Sequence, residues 1–119
     1  MPTLYGLPHC GTCQKASAWL QAHQIAHQLI DYRAQPLAPE LLRRAAAALG
    51  WEKLVNRAST TWRGLPDAVK TPATEADWLA LVQAHPTLIR RPLLVEGEQF
   101  LAGFREAQYQ TLGLTGSQP

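Results

Sequence analysis

The most restrictive feature of the chain is a pair of cysteines at the point where an apolar, strand-like run changes to a helix-like one. The run is Thr3 to Leu7, and Cys10 and Cys13 follow it in His9-Cys10-Gly11-Thr12-Cys13. A cysteine at a helix start meets unpaired backbone N–H groups and the positive end of the helix dipole, and both stabilise a thiolate. A second thiol one turn away can close a disulfide onto the first. The placement therefore predicts thiol chemistry at a strand-to-helix joint.

Two structural uses of the same cysteines are weaker interpretations. A zinc site needs four ligands, and the sequence has no second cysteine pair. The histidines, His9, His23, His27 and His85, do not have the spacing of zinc ligands. A structural disulfide across so short a loop restricts the unfolded chain little. We therefore favour redox or nucleophilic use of the thiols and expect no metal.

Length and composition favour a single small domain. The chain has 119 residues, of which 46% are hydrophobic, enough to bury one core. It begins without the basic region and long apolar stretch of a signal peptide, and no apolar run is long enough to cross a bilayer. We therefore expect a cytoplasmic protein without membrane contact. A net charge of +2 argues against a strongly basic nucleic-acid surface, and no obvious dimer face is present, so we expect a monomer.

Hydrophobic periodicity predicts a βαβ unit in the first third of the chain. After the first strand, a helix from about Thr12 to His23 repeats its apolar residues with a period near 3.6. Residues Ile25 to Tyr32 then alternate as a strand that is covered on both faces. The length of the connection suits a right-handed parallel crossover.

A helical segment follows this unit. Pro39 and Glu40 are typical of a helix start, and Gly50 of a helix end. Thr74 and Asp77 have the spacing of a capping box at the start of a further helix.

The remaining pattern predicts a loop from Asn56 to Pro66, a hairpin within residues 90–101 and a last helix after Gly103. The predicted fold is α/β and thioredoxin-like, with βαβ and ββα halves forming a mixed four-stranded sheet, although other small α/β folds share the pattern. The helical insertion occupies about residues 38–85. We expect one domain over residues 1–119, with a disordered tail at 115–119.

Arginines from distant parts of the chain are candidates for contact with the thiols. Arg57 and Arg63 lie in the predicted loop, and Arg90 and Arg91 directly precede Pro92. Guanidinium groups stabilise thiolates and bind oxyanions bidentately, although most arginines are simply solvated. The position of Arg91 before a hairpin favours a functional role.

Three separated motifs carry a resemblance to a known family. They are the dithiol segment 7–16, the segment 56–63 and the segment 88–95, and Ala102-Gly103-Phe104 follows them. With these motifs the chain resembles the ArsC/Spx family of arsenate reductase-like proteins over nearly its whole length. Within that family it is most similar to the small proteobacterial proteins of the YffB type. The resemblance implies a thioredoxin-like fold with a helical insertion.

The resemblance also implies roles for individual residues. It places the reactive cysteine at Cys10, assigns Arg91 to thiolate or oxyanion stabilisation, and makes Pro92 a cis-proline beside the site. The central-loop arginine of arsenate reductases most resembles Arg57, and Arg63 competes for the same role.

Two positions depart from the arsenate reductase pattern. Those enzymes have an arginine after the late glycine, whereas Phe104 follows Gly103 here and the nearest arginine is Arg105. They also lack a thiol at the position of Cys13, whereas Spx-type regulators have a similar Cys-x-x-Cys switch. The site thus combines features of two functional branches.

The enzyme hypothesis is a glutathione-linked thiol–disulfide oxidoreductase or arsenate reductase-like protein. The Cys10 thiolate attacks a mixed disulfide or an oxyanion, while Gly11 and Thr12 at the helix start and Arg91 stabilise negative charge. Cys13 or external glutathione then resolves the adduct. We expect no bound cofactor, and glutathione or glutaredoxin as the reducing partner.

The alternative hypothesis is an Spx-like regulator that binds RNA polymerase and is switched by a disulfide between Cys10 and Cys13, with no direct contact to nucleic acid. His9 either pairs with the thiolate or is solvated, and the sequence leaves both open. Of the four tryptophans, Trp62 alone is a candidate for a place near the site, and the others are expected in packing.

Overall fold

The computed structural model describes residues 2–111, and its centre is a mixed four-stranded sheet. The strands are Thr3–Gly6 (β1), Gln28–Asp31 (β2), Leu93–Glu96 (β3) and Gln99–Ala102 (β4), in the order β2-β1-β3-β4. β1 and β2 are parallel, and β3 is antiparallel to both of its neighbours. The βαβ and ββα halves predicted from the sequence are thus confirmed.

Within the described residues the chain forms six α-helices. They are Gly11–Ala22 (α1), Pro39–Leu49 (α2), Trp51–Leu54 (α3), Thr60–Arg63 (α4), Glu75–Ala84 (α5) and Glu106–Gln110 (α6). Short 3₁₀ turns occupy Asp67–Val69 and Pro86–Leu88. Helices α2 to α5 lie between β2 and β3 in the sequence, as the predicted insertion requires. None of the helices described is long and apolar enough to cross a membrane.

Apolar residues pack on both faces of the sheet. Leu93 and Leu94 are adjacent in β3 and both are fully buried, but they belong to different clusters because successive strand residues point to opposite faces. The cluster containing Leu94 joins α1 and α6 to the sheet, and the cluster containing Leu93 joins the helical insertion to it. The insertion is therefore part of the main core.

Local sequence signals determine how the insertion begins and ends its helices. Pro39 starts α2, and Gly50, with a φ of +86°, follows its last residue. The capping box predicted at the start of α5 is confirmed, since the Asp77 N–H donates to Thr74 Oγ1 at 3.1 Å and Asp77 accepts from the Thr74 N–H. This capping box supplies partners that the first turn of α5 otherwise lacks.

Two parts of the secondary structure differ from the sequence prediction. The second strand begins at Gln28, not at Ile25. The predicted loop from Asn56 to Pro66 was wrong in its middle, where α4 forms because Ser59 Oγ accepts a hydrogen bond from the Trp62 N–H at 3.1 Å. The expected disorder of residues 115–119 lies outside the described residues.

The tryptophans are packing residues. Trp78 stacks on Trp51 with ring centroids 5.8 Å apart and on Trp62 at 6.4 Å, all within the insertion's side of the core. Trp19 packs against Tyr109 on the opposite face of the sheet. Trp62 therefore lies in the core and not beside the thiols, as the sequence had suggested for it.

Candidate active site

The two cysteines lie where β1 ends and α1 begins. Cys10 is the residue before the first turn of α1; its N–H donates to Leu7 O at 3.1 Å, and its carbonyl accepts from the Gln14 N–H at 3.0 Å. Both thiols are free; Cys10 is partly exposed and Cys13 is fully buried. The helix start thus presents one accessible sulfur with a second sulfur beneath it.

The surroundings of Cys10 favour its thiolate. Partial burial raises the pKa of Cys10, but hydrogen bonds from the Cys13 N–H, the Cys13 thiol and the Thr12 N–H lower it, as does the charge of Arg91. The balance holds the pKa of Cys10 below its ordinary value. Backbone donors at a helix start have this effect on a thiolate in general.

The surroundings of Cys13 favour the protonated thiol. Burial raises the pKa of Cys13 to about 11, outweighing a backbone hydrogen bond from Leu7 and the positive charge of Arg91. The charge of Cys10 raises this pKa further. Cys10 therefore ionises before Cys13, and when the pair carries one negative charge, that charge lies on Cys10 and the proton on Cys13, whose S–H donates to the Cys10 sulfur.

Arg91 and Pro92 reach the thiols from the loop before β3. The peptide bond between them is cis, as the resemblance implies, and Pro92 is fully buried. The Pro92 carbonyl accepts a hydrogen bond from the Gly103 N–H at 2.9 Å. This bond ties the loop to the end of β4.

Cys10 opens into a groove of about 620 Å³ between α3 and the segment that joins β4 to α6. Four cationic side chains are among its described lining residues, and Glu52 is the single carboxylate there. The cations are Lys53, Arg90, Arg91 and Arg105. Such a surface is suited to an anionic ligand.

The structure brings some of the predicted site residues to this groove and leaves others outside it. Thr12 and Arg91 line the groove together with Cys10. Arg57 instead donates to Glu52 Oε1 at 2.8 Å, and Arg63 donates to the Ala58 carbonyl at 2.8 Å. Neither of these two arginines lines the groove, so of the four arginines considered from the sequence, Arg90 and Arg91 are the ones placed there with Cys10.

The remaining predicted residues have simpler surroundings. Gly11 is the exposed first residue of α1, and His9 is exposed and lies outside the lining of the groove. No group of three or more His, Cys, Asp or Glu residues among residues 2–111 has the arrangement of a metal site. The groove also contains Lys53, which was not noted from the sequence, and Arg90, which was noted there only as a candidate for contact with the thiols. Arg105 was not predicted as a site residue either, although it lies close to the position of the missing family arginine.

Comparisons with known proteins extend over almost the whole chain. A solved structure of the YFFB (PA3664) protein is 40% identical, has a TM-score of 0.86, and aligns over 92% of this chain and 96% of its own. The solution structure of an arsenate reductase (ArsC) related protein from Brucella melitensis is 37% identical, with a TM-score of 0.72 and coverage of 93% and 92%.

A regulator is also among the relatives. The global transcriptional regulator Spx of Enterococcus faecalis is 35% identical over 109 residues, which are 89% of this chain and 81% of the regulator. The sequence model of the ArsC family matches residues 5–112. On the evidence of this match and of the shared thioredoxin-like fold, the chain belongs to the ArsC family.

Proposed function

We propose that the protein is a glutathione-linked thiol–disulfide oxidoreductase in which Cys10 is the nucleophile. The observation that carries the proposal is the unequal dithiol at the end of a cationic groove. Cys10 is the accessible thiolate, Cys13 is the buried thiol, and Lys53, Arg90 and Arg105 extend the positive charge away from them. A peptide thiol with two carboxylates, such as glutathione, has both the size and the charge that this groove suits.

In the first step the Cys10 thiolate attacks the glutathione sulfur of a mixed disulfide. A bond forms between Cys10 and that sulfur, the original disulfide bond breaks, and the other thiol leaves as a thiolate that takes a proton from water. The hydrogen bond from Cys13 and the charge of Arg91 lower the pKa of Cys10 and so favour the thiolate that makes this attack.

Two routes restore the enzyme. A second glutathione thiolate attacks the bound glutathione sulfur, so that glutathione disulfide leaves and the Cys10 thiolate is regenerated. Alternatively, Cys13 gives its proton to water and attacks the Cys10 sulfur, which releases glutathione and leaves a Cys10–Cys13 disulfide. Two molecules of glutathione, or one dithiol glutaredoxin, then reduce that disulfide and are themselves oxidised to a disulfide.

Arsenate is the second substrate to test. The helix start and Arg91 provide donors for an oxyanion, but Arg57 and Arg63 are bonded elsewhere. At about 620 Å³ the groove is also much larger than a small tetrahedral anion requires. These observations favour the mixed disulfide as the better substrate.

A regulator is the second candidate function, favoured by the similarity to Spx over 89% of the chain. In that function the Cys10–Cys13 disulfide changes the surface around the groove and so controls binding to RNA polymerase. This function requires oxidation of the dithiol but no turnover.

Turnover of the purified protein separates these functions. Glutathione is supplied with glutathione reductase, and NADPH oxidation is followed with a glutathione mixed disulfide or with arsenate. Wild type is compared with Cys10→Ser and Cys13→Ser. We expect turnover of the mixed disulfide that is lost in Cys10→Ser. Full activity of Cys10→Ser refutes the proposal, and absence of turnover together with ready Cys10–Cys13 disulfide formation favours the regulator.

A further inference from the structure

A buried tyrosine lies under the site and was not among the predicted functional residues. Tyr32 follows the last residue of β2, its side chain is fully buried, and its N–H donates to the Gly6 carbonyl at 3.1 Å. Gly6 is the last residue of β1. Parallel strands end at the same edge of a sheet, so Tyr32 lies at the edge where Cys10 and Cys13 begin α1.

The hydroxyl of Tyr32 has a fixed hydrogen-bond partner. It donates to the Ile89 carbonyl at 3.1 Å, two residues before Arg91. Ile89 is itself held by a bridge to Val55, and the next N–H, that of Arg90, donates to Leu54 O at 2.8 Å. The oxygen of Tyr32 therefore has a defined position, and its lone pairs remain free to accept.

Arg91, which lines the groove together with Cys10, lies close enough to act on this hydroxyl. Burial raises the pKa of Tyr32 to about 12, while the charge of Arg91 and a hydrogen bond from its guanidinium oppose that rise. The charges of Cys13 and Cys10 raise the same pKa, so both sulfurs lie within electrostatic reach of the hydroxyl. The hydroxyl is thus fixed two residues before Arg91, whose charge acts on this hydroxyl and on both thiols.

We propose that Tyr32 is a positioning residue that holds the Arg91 guanidinium beside Cys10. A long arginine side chain has many rotamers, and a fixed acceptor reduces them to those that place its charge near the sulfur. The proposal rests on the proposed function only in taking Cys10 as the reactive thiolate. It does not depend on which substrate the thiolate attacks.

The variant Tyr32→Phe tests the proposal because it removes the hydroxyl and keeps the ring. The rate of Cys10 alkylation by iodoacetamide, located by mass spectrometry, is measured against pH in the full chain. We expect the midpoint of this pH profile, which reports the pKa of Cys10, to move upward by roughly 0.3–1 pH unit. Other groups that face Cys10, namely Cys13 and the groove cations Lys53, Arg90 and Arg105, are unchanged in this variant.

Tyr109→Phe is the matched control. Tyr109 is also fully buried, but its hydroxyl has no hydrogen-bond partner among the described residues and packs on the opposite face of the sheet. We expect this variant to leave the midpoint of Cys10 unchanged. An unmoved midpoint in folded Tyr32→Phe, or an equal shift in both variants, overturns the proposal.

A double variant shows whether Tyr32 acts through Arg91. In an Arg91→Met background the guanidinium is absent, so adding Tyr32→Phe should produce little further shift. A full further shift means that Tyr32 acts on Cys10 by another route, and the proposal is then wrong.

If Tyr32→Phe does not fold, NMR of the wild-type guanidinium decides. A held Arg91 has slowed side-chain exchange, and a freely rotating one contradicts the proposal. None of these measurements uses a glutathione substrate, so a failure of this proposal is distinguishable from a failure of the proposed function.

Discussion

The sulfur of Cys13 lies in the space that a side chain at Gly6 would occupy. A β-carbon built on Gly6 would stand 2.5 Å from Cys13 Sγ, and 3.7 Å from the Cα of Pro92. Real β-carbons do not approach a sulfur so closely, and Gly6, the last residue of β1, is held by its pairing with Asp31 of β2. The absence of a side chain at Gly6 is therefore what lets Cys13 sit directly under Cys10.

The variant Gly6→Ala should displace the Cys13 sulfur. We expect a loss of about 1–3 kcal/mol in the free energy of unfolding, typical of an overfilled core, and a higher pKa of Cys10 because its hydrogen bond from Cys13 is weakened. Denaturant unfolding and the alkylation profile measure the two effects.

Two further variants check that the clash is with the sulfur. Gly64→Ala is the control, since a β-carbon there meets only ordinary contacts, at 3.5 Å from the Thr60 carbonyl. In the double variant Gly6→Ala/Cys13→Ala the sulfur is gone, so most of the lost stability should return. If the double variant does not recover stability, the new methyl group of Gly6→Ala clashes with atoms other than the Cys13 sulfur.

The sequence predicts most of the fold because its signals are local. The helix start at Pro39, the capping box at Thr74 and the alternation around β2 each depend on residues a few positions apart. The short helix α4 was missed because its signal, Ser59 at the N-cap, precedes a helix of only four residues. So short a helix leaves almost no periodicity to detect.

The thiol part of the site was also predictable from local sequence, since Cys10 and Cys13 are adjacent to the joint that activates them. Arg57 and Arg63 were chosen as loop residues, but the actual contacts of their side chains depend on Glu52 and on the Ala58 carbonyl. Gly6 and Tyr32 act across strands, through contacts that no spacing in the sequence reveals. The cysteines could be predicted because their surroundings are local in sequence, whereas the roles of Gly6 and Tyr32 depend on long-range packing.

Stability at alkaline pH should depend on Cys13. Burial raises its pKa from the ordinary 9.0 to about 11, so the folded state binds this proton more tightly than the unfolded state. The contribution, about 2–3 kcal/mol, is fully present below pH 9 and is lost as pH rises through about 11. Urea unfolding under reducing conditions should show this fall in wild type and a flatter dependence in Cys13→Ala. An equal fall in both proteins would assign the effect to other groups.

The hydrogen bond from Cys13 should be replaceable by a hydroxyl. Cys13→Ala removes the donor to the Cys10 sulfur, so we expect the pKa of Cys10 to rise, by roughly 0.5–1 unit for one lost hydrogen bond. Cys13→Ser keeps an O–H donor at the same position and should raise it less. The pH dependence of Cys10 alkylation measures both variants, and equal values for the two would show that the donor is unimportant.

The cations of the groove should act on substrate binding and not on the thiolate. Arg105 lines the groove with Cys10, but it is not among the groups that shift the pKa of Cys10. We expect Arg105→Ala to raise the KM for an anionic glutathione mixed disulfide by roughly three- to tenfold, as the loss of one charge-assisted hydrogen bond implies, with the alkylation profile of Cys10 unchanged. Arg33→Ala is the control, because Arg33 is also exposed and does not line the groove. The same rise in KM for both variants would mean that the effect comes from the change in net charge and that Arg105 does not contact the substrate.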